Sequence, residues 1–215
     1  MKILPLISLI LIVLSAICTI IGFSTYWFYT SVNIEGEMEL KTYYKYNKVK
    51  IIVDGVAATS GYSSLEQSFS HQLKFFKAAL AMDILAFVNL FFAAIPMGIY
   101  AFKDLSVSHQ SKLKNSLNAA TVFLIIATFV VLGVPKARRQ DCESNLENES
   151  TSFSSEEVSN ICDNDYYHKF HGEFEAGNSK IQFGPYTAWI AIVIGLGLSF
   201  FNNIFVYCGG VFKQS

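Results

Sequence analysis

Charge is what this chain has least of. Asp, Glu, Lys and Arg make up only 15% of its 215 residues, while 52% are hydrophobic; soluble domains ordinarily carry about a quarter charged residues. The deficit argues against the one or two soluble domains that length alone would allow. Neither sign is in excess, with 16 basic residues against 17 acidic ones for a formal charge of −1. A nucleic-acid surface needs a basic excess or stripe, so no nucleic-acid partner is expected. The four cysteines include no Cys-x-x-Cys pair, which disfavours a zinc ribbon or a thioredoxin-type centre. GxSxG, HExxH, a glycine-rich phosphate loop and paired buried carboxylates are also missing. Gly195-x-Gly197 lacks the third glycine of a dinucleotide fingerprint and sits in an apolar run. The expectation is a protein that is not an enzyme and uses no cofactor.

Long apolar runs are what the chain does have. Ile3 to Phe23, Ala78 to Phe102, Leu117 to Val134 and Tyr186 to Val206 each approach the roughly 20 helical residues that cross a hydrocarbon core. A span must be helical, because lipid offers no partner to the backbone. The expected fold is therefore an all-α transmembrane four-helix bundle, with a small extracellular β-sheet layer making it α+β overall. The whole chain forms a single four-span membrane domain, with outside segments 24–77 and 135–185. The first run is longer than the roughly 7–15 residues of a signal-peptide core, so it reads as a retained span. Lys2, Lys103, Lys112, Lys114 and Lys213 favour cytoplasmic termini and a cytoplasmic short loop. Lys136, Arg138 and Arg139 pull the other way, but long loops translocate largely regardless of charge. The expected location is a membrane, the plasma membrane ahead of internal ones.

The outside segments carry period-two patterning. From Val32 to Tyr46, Ile34, Met38, Leu40, Tyr44 and Tyr46 fall on one parity and Glu35, Glu37, Glu39, Lys41 and Lys45 on the other, which reads as one half-buried strand. Tyr46 to Val53 reads as a second strand, closed by Asp54-Gly55, and a turn near Asn47 would pair the two. Ser63 with Glu66 forms a capping box, followed by Leu65, Phe69, Leu73 and Phe76 at helical spacing. That pattern fits a short amphipathic helix lying outside the membrane and running into the second span, or simply an early start of that span. Cys142 and Cys162 are expected to form a disulfide closing about a 20-residue loop. Asn148-Glu149-Ser150 is a glycosylation sequon within that loop. Ser154 with Glu157 suggests another capped turn. Tyr166–Glu175 and Lys180–Phe183 flank Gly177-Asn178 as a hairpin. A metal cluster of Cys162, Asp163, Asp165, His168 and His171 is the rival reading there. It is set aside because strand positions three apart face opposite ways, and Cys162 is better used by Cys142.

Within the spans, Ala191, Gly195, Ser199 and Asn203 recur every four residues, the small-residue face that lets membrane helices approach. Ser8, Ser15, Cys18, Gly22 and Thr25 share one side of the first span; Ala79, Asp83, Ala86, Ala93 and Met97 share one side of the second. Asp83 is the lone charge in any run and so a candidate functional acid. The competing role is structural, pairing with an outside Lys or capping a polar pocket. Asn89, Asn202 and Asn203 are expected to hydrogen-bond between helices. Cys208, at the end of the fourth span, is a candidate for palmitoylation.

Trp27 directly after the first span, Lys77-Ala-Ala-Leu-Ala-Met82 opening the second, and Phe183-Gly184-Pro185-Tyr186 with Ala188-Trp189 opening the fourth together resemble the claudin and peripheral-myelin-protein superfamily of four-span proteins. The resemblance implies an extracellular sheet built mainly from the first outside segment, with one contribution from the second, on a left-handed four-helix bundle. The chain departs from claudins in lacking their GLW motif and first-segment cysteine pair. It departs from tetraspanins in lacking Cys-Cys-Gly. The functional expectation is a non-enzymatic membrane scaffold or adhesion-type protein, whose partners are the lipid bilayer and other membrane proteins or its own copies in cis or trans. The alternative is an auxiliary channel subunit or small transporter using Asp83. Binding of an extracellular ligand through Tyr43, Tyr44, Tyr46, Tyr166 and Tyr167 is a third reading.

Overall fold

A computed structural model describes residues 3–34, 38–61, 69–103, 106–149, 161–208 and 211. In chain order the elements are α1 (Ile3–Ser24), β1 (Phe28–Ile34), β2 (Met38–Tyr44), β3 (Lys48–Val53), β4 (Val56–Gly61), α2 (Ser70–Phe102), α3 (Val107–Val131), α4 (Val134–Glu149), α5 (Asp165–His168), β5 (Gly172–Ala176), β6 (Ser179–Pro185) and α6 (Thr187–Cys208). Among the described residues, four helical stretches are long and apolar enough to cross a membrane: Ile3–Ser24, Ser70–Phe102, Val107–Glu147 and Thr187–Cys208. Helix α2 is unbroken from Ser70, so the turns before Ala78 and the apolar run are one element. The capping pairs Ser63/Glu66 and Ser154/Glu157 lie outside the described residues. The chain divides into two compact units, one of Met1–Ser24, Leu80–Thr128 and Ile190–Ser215, the other of Thr25–Ala79 and Phe129–Trp189.

The first unit holds the apolar runs. Pro5, Ser8, Ile12, Ser15, Thr19 and Gly22 line the buried stripe of α1, at the alternating three- and four-residue steps of a helix face. On α2, Asp83, Ala86, Leu90, Ala93, Met97 and Tyr100 are buried at the same spacing. Between them, Ile12, Leu90, Met97, Leu117 and Val206 form the apolar core. Large side chains such as Phe91, Phe92, Phe200 and Phe201 remain exposed, the reverse of a water-soluble surface and suited to lipid.

The second unit is organised by a six-stranded antiparallel sheet in the order β4-β3-β2-β1-β6-β5. The single strand expected over Val32–Tyr46 is in fact two strands, because β1 folds back onto β2 with Ile34 opposite Met38. The β2–β3 turn falls near Asn47 as expected, with Lys45 N–H donating to the Lys48 carbonyl at 3.0 Å. Asp54 and Gly55 both take positive φ, 46° and 84°, the signature of a tight primed turn; β4, which the sequence reading did not anticipate, follows it. At the other edge Gly177 turns the β5–β6 hairpin at φ 60°. Tyr166–His168, expected as strand, is instead the short helix α5, with the Asn164 side chain accepting from Tyr166 N–H. Two strands therefore come from the second connecting segment, where the family resemblance implied one contribution.

Register sorts the side chains into two faces. Phe28, Tyr44, Val49 and Phe183 are buried and share one face across the ladders Phe28↔Tyr44, Tyr44↔Val49 and Thr30↔Phe183. Alternate positions carry Ser31, Lys41, Lys50, Gln182 and Glu173, cross-strand neighbours on the opposite face. Lys180 holds Glu173 at 2.9 Å there, keeping that carboxyl below its usual range, with the Gln182 amide assisting.

Helix α4 was not anticipated either. It starts one turn after α3, where Leu132 and Gly133 donate to the carbonyls of Phe129 and Val130, and Pro135 then lacks the N–H that would continue the α3 ladder. A Cβ on Gly133 would come within 2.2 Å of the Phe75 ring, so the close approach of α2 to this turn requires glycine.

Candidate functional site

In the first unit, hydroxyls and carboxamides join the helices pairwise. Ser8 Oγ donates to Asn202 Oδ1 at 2.7 Å and Ser15 Oγ to the Gly195 carbonyl at 2.8 Å, both linking α1 to α6. Thr121 of α3 stands 2.7 Å from Ser199 Oγ and accepts from Asn203 Nδ2, also at 2.7 Å. The predicted stripe on α6 therefore serves two neighbours. Ala191 is buried, Gly195 meets α1, and Ser199 and Asn203 meet α3. Its small members matter sterically, since a Cβ on Gly195 would sit 3.0 Å from Cys18 Cβ. Asn89 departs from expectation; its Nδ2 donates to the Leu85 carbonyl of its own helix.

Asp83 lies within this unit on α2 and is fully buried. Gly22 of α1 and Ile192 of α6 enclose it, for a Cβ added at Gly22 would stand 2.5 Å from Asp83 Oδ2 and 2.8 Å from Ile192. Neither carboxylate oxygen has a hydrogen-bond partner among the described residues. No described lysine pairs with it, contrary to the pairing role weighed from the sequence. A carboxyl so placed can take up or release a proton, or accept a donor that enters the helices.

The second unit contains a buried cluster that sequence reasoning missed. Arg138 was expected to act as flanking positive charge at the end of a span, yet only 3% of it is exposed. Its guanidinium lies over three rings of the sheet's buried face and α5, 4.1 Å from the centre of Tyr166, 4.6 Å from Phe28 and 5.4 Å from Phe183. Nη1 donates to the Tyr166 carbonyl, while Nη2 is buried without a partner among the described residues. No described carboxylate pairs with this cation, so ring quadrupoles supply the attraction. Burial raises the Tyr44 phenol well above its usual range, with neighbouring Tyr166 adding to the effect; burial also raises Tyr167.

One turn further along α4, buried Asp141 caps α2 from outside that helix. Its Oδ1 accepts from His71 N–H at 2.8 Å and from His71 Nδ1–H at 2.9 Å; Oδ2 accepts from Gln72 N–H at 3.0 Å and Gln72 Nε2 at 3.2 Å. The carboxylate thus satisfies two of the orphan donors of a helix start and faces the positive end of its dipole. The only sequence signal for this arrangement was the presence of charged residues that continue helically beyond the apolar run.

The expected disulfide is present. Cys142 and Cys162 are bonded, 20 positions apart, with Cα atoms 6.0 Å apart. Asn148 lies within the segment that the disulfide closes, in the last turn of α4, and its side chain lies outside the described residues. Cys208 ends α6 as an exposed free thiol. Two of the metal-ligand candidates pair with each other, His168 Nε2 with Asp163, while Lys169 engages Asp165 at 2.6 Å and His171 Nδ1–H donates to the Phe183 carbonyl at 3.1 Å. No group of three such ligands is gathered among the described residues. Of the five tyrosines read as a ligand surface, Tyr43 joins Tyr26 and Tyr186 in an aromatic cluster, while Tyr166 packs on Tyr167 and Phe183.

No family model matches the chain, and comparison with curated proteins gives no match.

Proposed function

We propose that the chain is a non-enzymatic four-span membrane scaffold of the claudin-like kind, whose β-sheet recruits membrane proteins or further copies of the chain. Its location is the plasma membrane, its two termini are cytoplasmic, and both long connecting segments share the exoplasmic side. Asn148 is glycosylated there and Cys208 is palmitoylated on the opposite side.

The observation that carries this reading is the outer edge of β4. That strand ends the sheet, and no described strand pairs beyond it. Its exposed residues Val56, Ala57, Ala58 and Thr59 include none of the charges or prolines with which edge strands are normally blunted. Such an edge supports strand addition by a partner, in which main-chain hydrogen bonds give affinity. In native-like nanodiscs the chain is expected to form oligomers or retain recurrent neighbours on proximity labelling. Val56→Lys is expected to abolish that association while leaving the fold within about 0.5 kcal/mol, as for other surface changes. A chain that stays monomeric and shows no recurrent neighbour would sink the reading.

The environment of Asp83 favours a second reading, an auxiliary channel subunit or transporter. A fully buried acid with both oxygens unpartnered among the described residues is what an ion or proton path uses. Flux across proteoliposomes that Asp83→Asn abolishes would promote it; flux absent in both proteins would remove it.

A further inference from the structure

The first unit contains a cavity of about 850 Å³ between the last turns of α2 and the first turns of α3. Its two ends differ in chemistry. Phe92, Ile95 and Ile99 of α2 supply an apolar wall, and these side chains are 60%, 50% and 50% exposed. Lys103, His109 and Lys112 line the other end. All three are exposed, and neither lysine forms an ion pair with a described residue. Lys114, close by in sequence, is engaged elsewhere, 5.1 Å over the Tyr207 ring. Ser106 Oγ lies 2.6 Å from His109 Nδ1, which leaves Nε2 as the free polar atom of that ring.

Length and placement narrow the occupant. From Phe92 to Phe102 a helix rises about 15 Å, half of a hydrocarbon core of about 30 Å, so the apolar wall matches one leaflet. It belongs to a helix long and apolar enough to cross a membrane, where acyl chains rather than water meet exposed Phe and Ile. The basic end falls beyond the last residue of α2 and within the polar first turns of α3, at headgroup depth. Pro96 also lines the cavity and has no N–H for the Phe92 carbonyl, which frees an acceptor in the apolar wall.

We propose that this cavity holds one anionic glycerophospholipid, with its phosphate among Lys103, His109 and Lys112 and an acyl chain along Phe92, Ile95 and Ile99. Charge complementarity selects an anionic headgroup over a zwitterionic one, and the adjoining apolar wall selects a lipid over a free phosphate. Basic pockets between membrane helices recognise anionic headgroups in this way. The site depends on membrane residence and not on the scaffold reading, because it uses nothing in the sheet.

The test uses the full-length chain, purified in mild detergent and examined by native mass spectrometry after incubation with phosphatidylserine, phosphatidylcholine or inorganic phosphate. One phosphatidylserine is expected to remain bound, in preference to phosphatidylcholine. Lys103→Gln and Lys112→Gln should each weaken retention about fivefold, the effect of one basic residue near an anionic surface. The control pair Lys48→Gln with Lys50→Gln, which removes twice the charge of either single variant but from the sheet, should change nothing. An intact Cys142–Cys162 disulfide and unchanged helical circular dichroism show that each variant is folded. Equal retention of both lipids overturns the proposal, as does retention indifferent to the two lysines. Displacement of the lipid by inorganic phosphate alone would likewise overturn it, by showing that the apolar wall contributes nothing.

Discussion

Arg138 is the residue whose environment departs furthest from its ordinary chemistry. Because no described carboxylate faces it, removing the charge strands no counter-ion, only the Tyr166 carbonyl that accepts from Nη1, and the cost of substitution should mainly follow shape. Arg138→Met fills most of the space between Phe28, Tyr166 and Phe183 and is expected to be neutral or stabilising, as replacement of buried ionic groups by apolar ones often is. Arg138→Ala leaves a void among three rings and should cost about 2–4 kcal/mol. Chemical unfolding in detergent, followed by fluorescence of buried Trp27, separates the two. Tyr44 makes a prediction about pH. Its phenol is raised in the folded protein, so the stabilisation it provides is complete below the unfolded phenol value of about 10 and is lost as pH climbs beyond it. Unfolding midpoints should fall at alkaline pH, and Tyr44→Phe should flatten that fall. An unchanged pH profile in the variant would assign the effect to other groups.

Elements were legible in the sequence where pattern and length agreed, and were misread where two structures give one pattern. The four apolar stretches were readable because only helices satisfy their backbone in lipid. The β1–β2 hairpin was not. Opposed residues point to the same face of a sheet, and Ile34 lies opposite Met38, so both positions are even and the alternation runs through the fold-back without a break. The β2–β3 turn was readable because Tyr44 lies opposite Val49, an even position against an odd one, and the pattern visibly slips. Helix α4 is hard to read from the sequence because its residues carry little apolar periodicity, Arg138 and Asp141 sharing its buried side with Val134 and Ala137. The Asp141 cap lets α4 support α2. Asp141→Ala leaves four donors without their acceptor and should cost about 2–3 kcal/mol, whereas Asp141→Asn, whose amide keeps one acceptor oxygen for two of the four donors, should cost less, about 1–2 kcal/mol. Hydrogen exchange at His71 and Gln72 amides reports the change locally; equal protection in both variants would show that the cap is dispensable.

For the molecule as a whole, the cysteine pair and the apolar runs were the sequence features that reached furthest. The disulfide closes a loop of 20 positions, and loop-closure entropy assigns it roughly 3 kcal/mol. Cys142→Ser with Cys162→Ser, or reduction of the unaltered chain, should lower the unfolding free energy by that amount without dissolving the helices. Far-ultraviolet circular dichroism alongside a denaturant titration measures both quantities. What the sequence could not disclose were contacts between remote positions, such as Ser8 with Asn202, Gly22 with Asp83 and Thr121 with Ser199, since no local period encodes them.

The β1–β6 ladder pairs Phe28 with Pro185 and Ile34 with Ser179, so the earlier strand waits for one made more than a hundred residues later. Until the ribosome has delivered β6, one flank of β1 displays unclaimed amides and carbonyls in the compartment where it emerges. Nascent chains of this protein are therefore exposed to mispairing from the emergence of β1 until that of β6, and premature stops before Ser179 should yield aggregation-prone material that quality control intercepts.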